Sequence, residues 1–273
     1  MAAASVLLGL TPTILANFAP AIAEIALLSS RRPFLSLLLS MGAPATYQLR
    51  FLEFENPINL LIRPERPSIL RLAHKSSRYA IGISLLQYCF AILAIWNLIS
   101  ASLELGQKTI LSWRCSVSFV PLLWAMTPIA CHAPAVLSLE VYRRKVMSDQ
   151  YTDAGEDFSL VRAAQNEFTI SAINTNPMHM VTASKRVHPG AWSIVLQSTA
   201  SIFSILQIIF GTAVLSSLLF IGVEDATILL LRYASSAFIC KLIMFMELEG
   251  MVLVAQEDKG ICGSDAIKEV DDV

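Results

Sequence analysis

Charged residues are scarce in this chain. Only 15% of its 273 residues are Asp, Glu, Lys or Arg, 55% are hydrophobic, and the mean hydropathy is +0.61. This composition is typical of membrane proteins and is more apolar than a soluble globular domain of this length requires. The basic residues stand in short blocks beside apolar segments, not on a separate basic domain, so we expect no nucleic-acid partner.

Cysteine is also rare, and the cysteines are widely spaced. There is no CxxC or other close pair among them, and three of the five fall inside apolar segments. The five cysteines are Cys89, Cys115, Cys131, Cys240 and Cys262. Such spacing argues against a disulfide framework and against a zinc site. We therefore expect no metal and no cofactor.

Motifs of familiar membrane enzymes are missing as well. The sequence contains no HExxH, GxSxG or phosphate-loop motif, no aspartate-rich prenyl-diphosphate motif, and no histidine followed four residues later by aspartate. It also has no Asn-x-Ser/Thr sequon, so glycosylation gives no indication of which side faces outward. The absence of these motifs makes an enzymatic function less favoured.

Two long uncharged segments organise the chain. Residues Tyr79–Leu103 and Cys115–Leu139 contain no Asp, Glu, Lys or Arg, and each is long enough to cross a hydrocarbon core of about 30 Å at about 1.5 Å per helical residue. The second segment contains three prolines six to seven residues apart, so we expect its helix to be kinked or partly broken: Pro121, Pro128 and Pro134. The pair predicts an integral membrane hairpin.

Three further segments complete the predicted bundle. Residues 191–223 form an uncharged run of 33 residues, and residues 226–247 follow after a tight turn at Glu224–Asp225. Residues 12–30 are less apolar; Thr11–Pro12 reads as a helix start, while Pro20 favours a kink or a re-entrant segment. The prediction is an all-α polytopic transmembrane helix bundle of four or five spans plus interfacial helices, all within residues 1–255.

The connecting segments differ in character. Arg31–Gly42 is too short to span, so we expect an interfacial helix that Gly42 closes in a left-handed conformation. The following connector ends in a basic stretch suited to anionic lipid headgroups, with Arg71, Lys75 and Arg78. Residues 140–190 form one long polar loop, and residues 256–273 are acidic and predicted to be a disordered tail.

The distribution of basic residues predicts the orientation. Of the 20 Lys and Arg residues, Lys108 and Arg114 lie in the turn of the hairpin, and Arg232 and Lys241 lie in the last span. The others all fall on one side, which the positive-inside rule makes cytoplasmic. The prediction is a cytoplasmic C-terminus, with the N-terminus outside if residues 12–30 span and cytoplasmic if they re-enter.

Glu24 and Lys241 form the first candidate site. In the five-span topology both lie about 18 to 22 Å from the outer face, and an unpaired charge at that depth costs at least a few kcal/mol. They are therefore candidates for an intramembrane ion pair. The alternative is that Lys241 extends to an interface while Glu24 is protonated or interfacial. Arg232 is a further candidate, although it could simply reach the outer headgroups.

Other polar residues in the predicted spans also have both a functional and a structural interpretation. His132, beside Cys131, could relay protons or bind a ligand, but a neutral, hydrogen-bonded histidine is the commoner case. Gln87 and Asn97 are predicted to face other helices, since lipid offers amides no hydrogen bonds. Glu247 is predicted to mark the cytoplasmic exit of the last span.

Two histidines in the long loop, His179 and His188, flank Lys185–Arg186. They could contact a phosphate or a lipid headgroup, with a solvated loop as the alternative.

The N-terminal fifth of the chain carries a resemblance. It rests on short stretches in the first 44 residues: Leu10-Thr11-Pro12-Thr13, Ala23-Glu24, Leu27 to Pro33, and Gly42-Ala43-Pro44. These resemble a group of uncharacterised fungal multi-span membrane proteins. The resemblance implies a membrane location and transfers no functional residue.

Three functions remain open at this point. The preferred one is a non-catalytic membrane accessory or scaffold that contacts lipid headgroups or a partner membrane protein. The second is a small solute or proton-coupled transporter that uses Glu24, Lys241 and the proline-broken span around His132. The third is a membrane enzyme acting on a lipidic or terpenoid-like substrate.

Overall fold

The computed structural model of the protein describes residues 2–46, 77–112, 118–150, 167–171 and 189–271. Over these residues the fold is an all-α bundle, as predicted, with one short antiparallel ladder. The helices are α1 Ala2–Phe18, α2 Ile22–Ser29, α3 Pro33–Gly42, α4 Ser77–Lys108, α5 Val120–Met126, α6 Pro128–Gln150, α7 Ala191–Ser216 and α8 Val223–Asp271. The strands of the ladder are β1 Ile110–Leu111 and β2 Leu218–Leu219.

Three helical stretches are long and apolar enough to cross a membrane: Ile81–Lys108, Val120–Val146 and Ala191–Ser216. Large apolar side chains point away from the bundle along all three, with Trp96 and Trp192 among the most exposed. Exposed apolar surface on this scale is what a lipid-facing bundle presents. The long apolar helices therefore support an integral membrane protein.

The N-terminal segment begins earlier than the sequence suggested. Helix α1 starts at Ala2 and runs through Pro12, so Thr11–Pro12 is not a helix start. Ala4 and Leu8 are fully buried, and this packing extends the helix beyond what the local signal predicted. Thr11 Oγ1 donates a hydrogen bond of 3.1 Å to the carbonyl of Leu7. The break falls at Pro20 instead, between α1 and α2.

The proline-rich segment is broken as expected. Pro121 lies in the first turn of α5, and Pro128 is the first residue of α6, so both occupy positions where a missing N–H costs little. Pro134 lies inside α6. Trp124 of α5 is fully buried and donates a hydrogen bond of 3.2 Å to the carbonyl of Gln207 in α7. The break thus lets a bulky side chain enter the bundle.

The run 191–223 is not a single helix. Helix α7 ends at Ser216, and the chain then pairs β2 with β1, with Ile110 opposite Leu219 and Leu111 opposite Leu218. Phe220 follows with a φ of 64°. The predicted turn at Glu224–Asp225 is also wrong, because both residues form the first turn of α8, where acidic side chains favour the helix dipole.

The last helix is much longer than the expected span. Helix α8 continues to Asp271, through most of the segment for which disorder was expected. Along its first half it packs against α4 and α1, and short helices α2 and α3 fill the space beside it.

Helix α3 is more deeply packed than an interfacial helix would be. Leu35 and Leu39 are fully buried. Gly42 is the last residue of α3 and does not adopt a positive φ, so the predicted left-handed cap is wrong. Its small size serves packing instead: a Cβ there would lie 2.8 Å from Cys240 Sγ of α8.

Candidate functional site

The densest polar cluster surrounds Arg32, the residue that precedes α3. Its side chain is fully buried, and Nη1 lies 2.7 Å from Glu247 Oε1 of α8. The same nitrogen donates to Gln87 Oε1 at 2.7 Å, and Nη2 donates to Ser84 Oγ at 2.6 Å, both on α4. Arg32 thus joins α4 and α8 to the α2–α3 connection.

Glu247 is as thoroughly bonded as its partner. Gln87 Nε2 donates to Oε1 at 2.7 Å, and the Ser171 hydroxyl donates to Oε2 at 2.6 Å. The Ser171 backbone N–H adds a longer bond of 3.3 Å to Oε2. A buried carboxylate is tolerable only when it is paired and hydrogen-bonded in this way.

Glu167 provides the second acid of the cluster and fixes the start of α3. Its Oε1 accepts the Leu35 N–H at 2.8 Å, and Oε2 accepts the Phe34 N–H at 3.3 Å. These are first-turn donors that have no partner within the helix. Arg32, at the N-cap position, makes no capping bond with its own side chain, so Glu167 caps the helix. Glu167 was predicted to lie in a loop of residues 140–190, but the first boundary of that loop is wrong, because α6 continues to Gln150.

Tyr88 closes the cluster on the side of α4. Its hydroxyl donates to Glu167 Oε1 at 2.5 Å, and its ring lies 5.4 Å from the Arg32 guanidinium carbon. The Arg32 Nε donates to the Glu167 carbonyl at 2.8 Å. Segment 167–171 is therefore held on the bundle through backbone and side chain.

Arg31 adds positive charge at the rim of the cluster. Burial lowers the pKa of its guanidinium below the ordinary value, and the charge of Glu247 acts in the opposite direction. Its Nη1 donates to the Ser171 carbonyl at 3.4 Å. The cluster thus balances two arginines against two carboxylates.

Sequence reasoning missed this cluster. Arg31–Arg32 was interpreted as a cytoplasmic stop and Glu247 as an exit marker, but Arg32 and Glu247 are 0% and 1% exposed. A charge at the end of a span looks the same in sequence whether it meets headgroups or another charge. The sequence signal that could have indicated the cluster is the pair Ser84 and Gln87, which are three residues apart and therefore lie on one face of α4. The prediction that Gln87 faces other helices is confirmed.

Glu24 and Lys241 lie together in the middle of the bundle. Lys241 Nζ is 2.6 Å from Glu24 Oε2, with side chains that are 37% and 14% exposed. The same carboxylate oxygen accepts the Ala21 N–H at 2.9 Å, which caps the start of α2. The structure thus brings these two sequence candidates into contact.

Arg232 lies in the N-terminal part of α8, fifteen residues before Glu247. Its Nη1 is 2.6 Å from Glu104 Oε2, and its Nη2 and Nε donate to Ser100 Oγ and Asn97 Oδ1 at 2.7 and 3.2 Å. Asn97 Nδ2 returns a bond of 2.8 Å to the Arg232 carbonyl. Arg232 therefore binds α4, and the prediction that Asn97 faces another helix is confirmed.

These contacts divide α8 into three polar levels. Arg232, Lys241 and Glu247 span fifteen residues, which corresponds to about 22 Å along a helix. Each level pairs α8 with a different part of the chain: α4, α2, and the Arg32 cluster. Each charge of α8 within the expected span has a partner of opposite sign.

His132 is not joined to these levels. Its Nδ1 is buried without a hydrogen-bond partner among the described residues. It lines a cavity of about 10 Å³ together with Cys131, Thr46 and Pro128, which leaves room for about one water molecule. Cys131 Sγ lies 3.8 Å from Gln207 Oε1. Among the described residues, the cavity that His132 lines is therefore too small for a solute larger than water.

Several predictions fall outside the described side chains. These concern the basic stretch at Arg71, Lys75 and Arg78, and the loop residues His179, His188 and Lys185–Arg186. Within the described parts of the chain, no group of three or more His, Cys, Asp or Glu side chains could hold a metal ion.

Comparison with protein-family models, curated proteins and solved structures finds no match to this chain. The resemblance of the N-terminal fifth to a fungal membrane group remains a prediction. The geometry of the three polar levels of α8 is therefore the basis for a proposed function.

Proposed function

We propose that the protein is a non-catalytic membrane accessory or scaffold that holds segment 167–171 on the cytoplasmic side of the bundle for contact with a partner membrane protein. The observation that carries this proposal is the closed Arg32 cluster. Arg32, Glu247 and Glu167 are each at most 8% exposed, and their hydrogen-bonding atoms are engaged with one another and with α3 and α4.

A reaction centre needs convergent polar groups beside a space that a substrate can enter. The Arg32 cluster has the polar groups, but they are bonded to each other. A buried charge network of this kind favours one arrangement of the chain over others. The cluster supports a structural role, which is to hold segment 167–171 in place on the bundle.

The orientation is part of the proposal. The positive-inside pattern places the Arg32 cluster at the cytoplasmic end and the β1–β2 ladder at the outer end. A partner would then meet the loop from the cytosol, while basic connectors rest on anionic headgroups.

Proximity labelling tests the scaffold function. A labelling enzyme fused to the C-terminus would be compared in the wild type and in Glu247→Gln, at matched abundance and matched membrane extraction. We expect a defined set of labelled membrane proteins in the wild type and loss of that set in Glu247→Gln. Glu249→Gln, two residues further along α8 and partly exposed, is the matched control. Identical labelling in all three would contradict the proposal.

Transport is a second candidate, and the Glu24–Lys241 pair favours it. The pair lies at mid-bundle, and Lys241 keeps part of its side chain exposed. Ionisable pairs at this depth often mark ion pathways. Opening of the pair would release one acid and one base that could exchange a proton.

Reconstituted liposomes separate the two candidates. Proton-dependent flux above that of protein-free liposomes, lost in Lys241→Met, would support transport and count against the scaffold. The scaffold proposal expects no flux in either protein. A glycosylation acceptor fused ahead of Met1 checks the required geometry, since modification in microsomes places the N-terminus outside.

A further inference from the structure

A cleft that carries charge lies at the end of the bundle with the β1–β2 ladder. Its volume is about 170 Å³, and its walls come from the end of α4, the Phe220–Ile221 turn and the start of α8. A cavity of this size accommodates a group of about six to ten heavy atoms. None of the functions considered so far uses this cleft.

The charges of the cleft are mixed and balanced. Lys108 and Arg232 contribute two positive charges, and Glu104 and Asp225 contribute two negative ones. A neutral total disfavours a ligand with net charge of either sign, while separated positive and negative groups suit a zwitterion. The cleft thus discriminates between ligands by the arrangement of their charges more than by their total charge.

Both cations retain donors for a ligand. Lys108 Nζ has three N–H groups and binds Glu104 Oε1 at 2.5 Å. Arg232 uses three of its five N–H groups on Glu104, Asn97 and Ser100 among the described residues. Two donors on each side chain therefore remain for an oxyanion. Asp225 is exposed in the first turn of α8 and interacts with the charge of Lys108.

The remaining wall is apolar and continues onto the outer surface of the bundle. Leu105 and Leu229 line the interior, and Ile228 lines the rim with 58% of its side chain exposed. Phe220 stands at the mouth, 68% exposed, on a backbone held at a φ of 64°. A ligand with a zwitterionic end in the cleft could lay an apolar part along this surface.

We propose that this cleft binds a zwitterionic phosphodiester headgroup, with the phosphate on Lys108 and Arg232 and the ammonium on Glu104 and Asp225. The position of the cleft at the end of three membrane-length helices makes phospholipid the expected source. A free water-soluble phosphodiester has the same chemistry and is distinguished by the experiment below. This inference does not depend on the scaffold function.

The test uses the full chain purified in maltoside micelles. Thermal unfolding would be titrated with dihexanoyl phosphatidylcholine, dihexanoyl phosphatidylglycerol and glycerophosphocholine to obtain apparent dissociation constants. We expect the phosphatidylcholine to bind more tightly than the phosphatidylglycerol. Equal binding of glycerophosphocholine would assign the site to a soluble phosphodiester, whereas binding of the lipid alone would assign it to phospholipid.

Variants locate the binding in the cleft. Lys108→Met and Asp225→Asn each remove one charged contact and should weaken phosphatidylcholine binding about tenfold, and Ile228→Trp should do the same by filling the rim. Arg144→Met is the matched control, because Arg144 is exposed and pairs with Glu140 four residues away, as Lys108 does with Glu104. Phosphatidylglycerol binding as tight as phosphatidylcholine binding, or wild-type affinity in Ile228→Trp, would overturn the proposal.

Discussion

Arg32 and Glu247 lie 215 residues apart in the sequence and form a salt bridge of 2.7 Å with side chains that are 1% and 0% exposed. The bridge connects the α2–α3 junction to α8, and Gln87 donates to the same carboxylate oxygen. Removing one member of such a pair leaves the other charged and buried, which costs more than the intact pair contributes. The cluster is therefore a sensitive point of the fold.

Glu247→Gln should destabilise the protein strongly. The neutral amide removes the charge that pairs with the buried Arg32 guanidinium, and the expected loss in unfolding free energy is about 3 to 5 kcal/mol. Unfolding of the detergent-solubilised protein, followed by tryptophan fluorescence, would measure the loss.

Two controls make this measurement specific. Glu249→Gln removes an acid two residues away and should change stability by less than about 0.5 kcal/mol. The double variant Arg32→Met with Glu247→Met should recover most of the loss, because it removes both members of the salt bridge and keeps the charge of the cluster balanced. Equal stability of Glu247→Gln and Glu249→Gln would show that the bridge does not stabilise the fold.

Part of this architecture could be predicted from the sequence. Uncharged runs and prolines predicted an all-α bundle and a kink or break within residues 115–139, because span length and the missing N–H are local properties. Residue counting placed Glu24 and Lys241 at one depth, and the structure has them 2.6 Å apart. In each case the prediction depended on spacing within a segment.

The remaining features depend on contacts that spacing does not encode. Glu167 lies in a polar loop, and nothing local indicates that it caps α3. The ladder between β1 and β2 is only two residues long, too short for an alternating pattern. The start of α1 is fixed by burial of Ala4 and Leu8, which outweighs the helix-start signal at Pro12.

The Glu24–Lys241 pair should contribute less than the Arg32–Glu247 bridge, because its side chains retain more exposure. A double-mutant cycle with Glu24→Gln and Lys241→Met should give a coupling energy of about 1 to 2 kcal/mol, between the usual ranges for exposed and buried pairs. The cycle would be measured by unfolding in micelles. The exposed pair Glu140–Arg144 is the matched comparison, with coupling below about 1 kcal/mol. A coupling energy for Glu24–Lys241 as small as that for Glu140–Arg144 would contradict this ranking.

Glu167→Ala should release segment 167–171 from the bundle. The change leaves the Tyr88 hydroxyl and the Phe34 and Leu35 N–H groups without their acceptor. We expect faster tryptic cleavage after Arg162, measured by gel or mass spectrometry under conditions that keep the spans intact. Glu140→Ala removes an acid that is only partly buried and should leave the cleavage rate unchanged. An unchanged rate in Glu167→Ala would argue against docking through this residue.

Gly211 of α7 should tolerate no side chain. An added Cβ would lie 2.2 Å from Trp124 Nε1 and 2.8 Å from Pro12 Cγ, so α1 and α5 would both have to shift. Gly211→Ala should therefore cost more than about 2 kcal/mol and break the Trp124 bond to Gln207, which would shift the tryptophan emission. Gly82→Ala is the matched control: a Cβ there meets nothing within 4 Å among the described residues, and alanine should stabilise the helix by about 0.5 to 1 kcal/mol. Opposite signs for the two substitutions would establish that α1, α5 and α7 approach closely at Gly211, and equal effects would refute that packing.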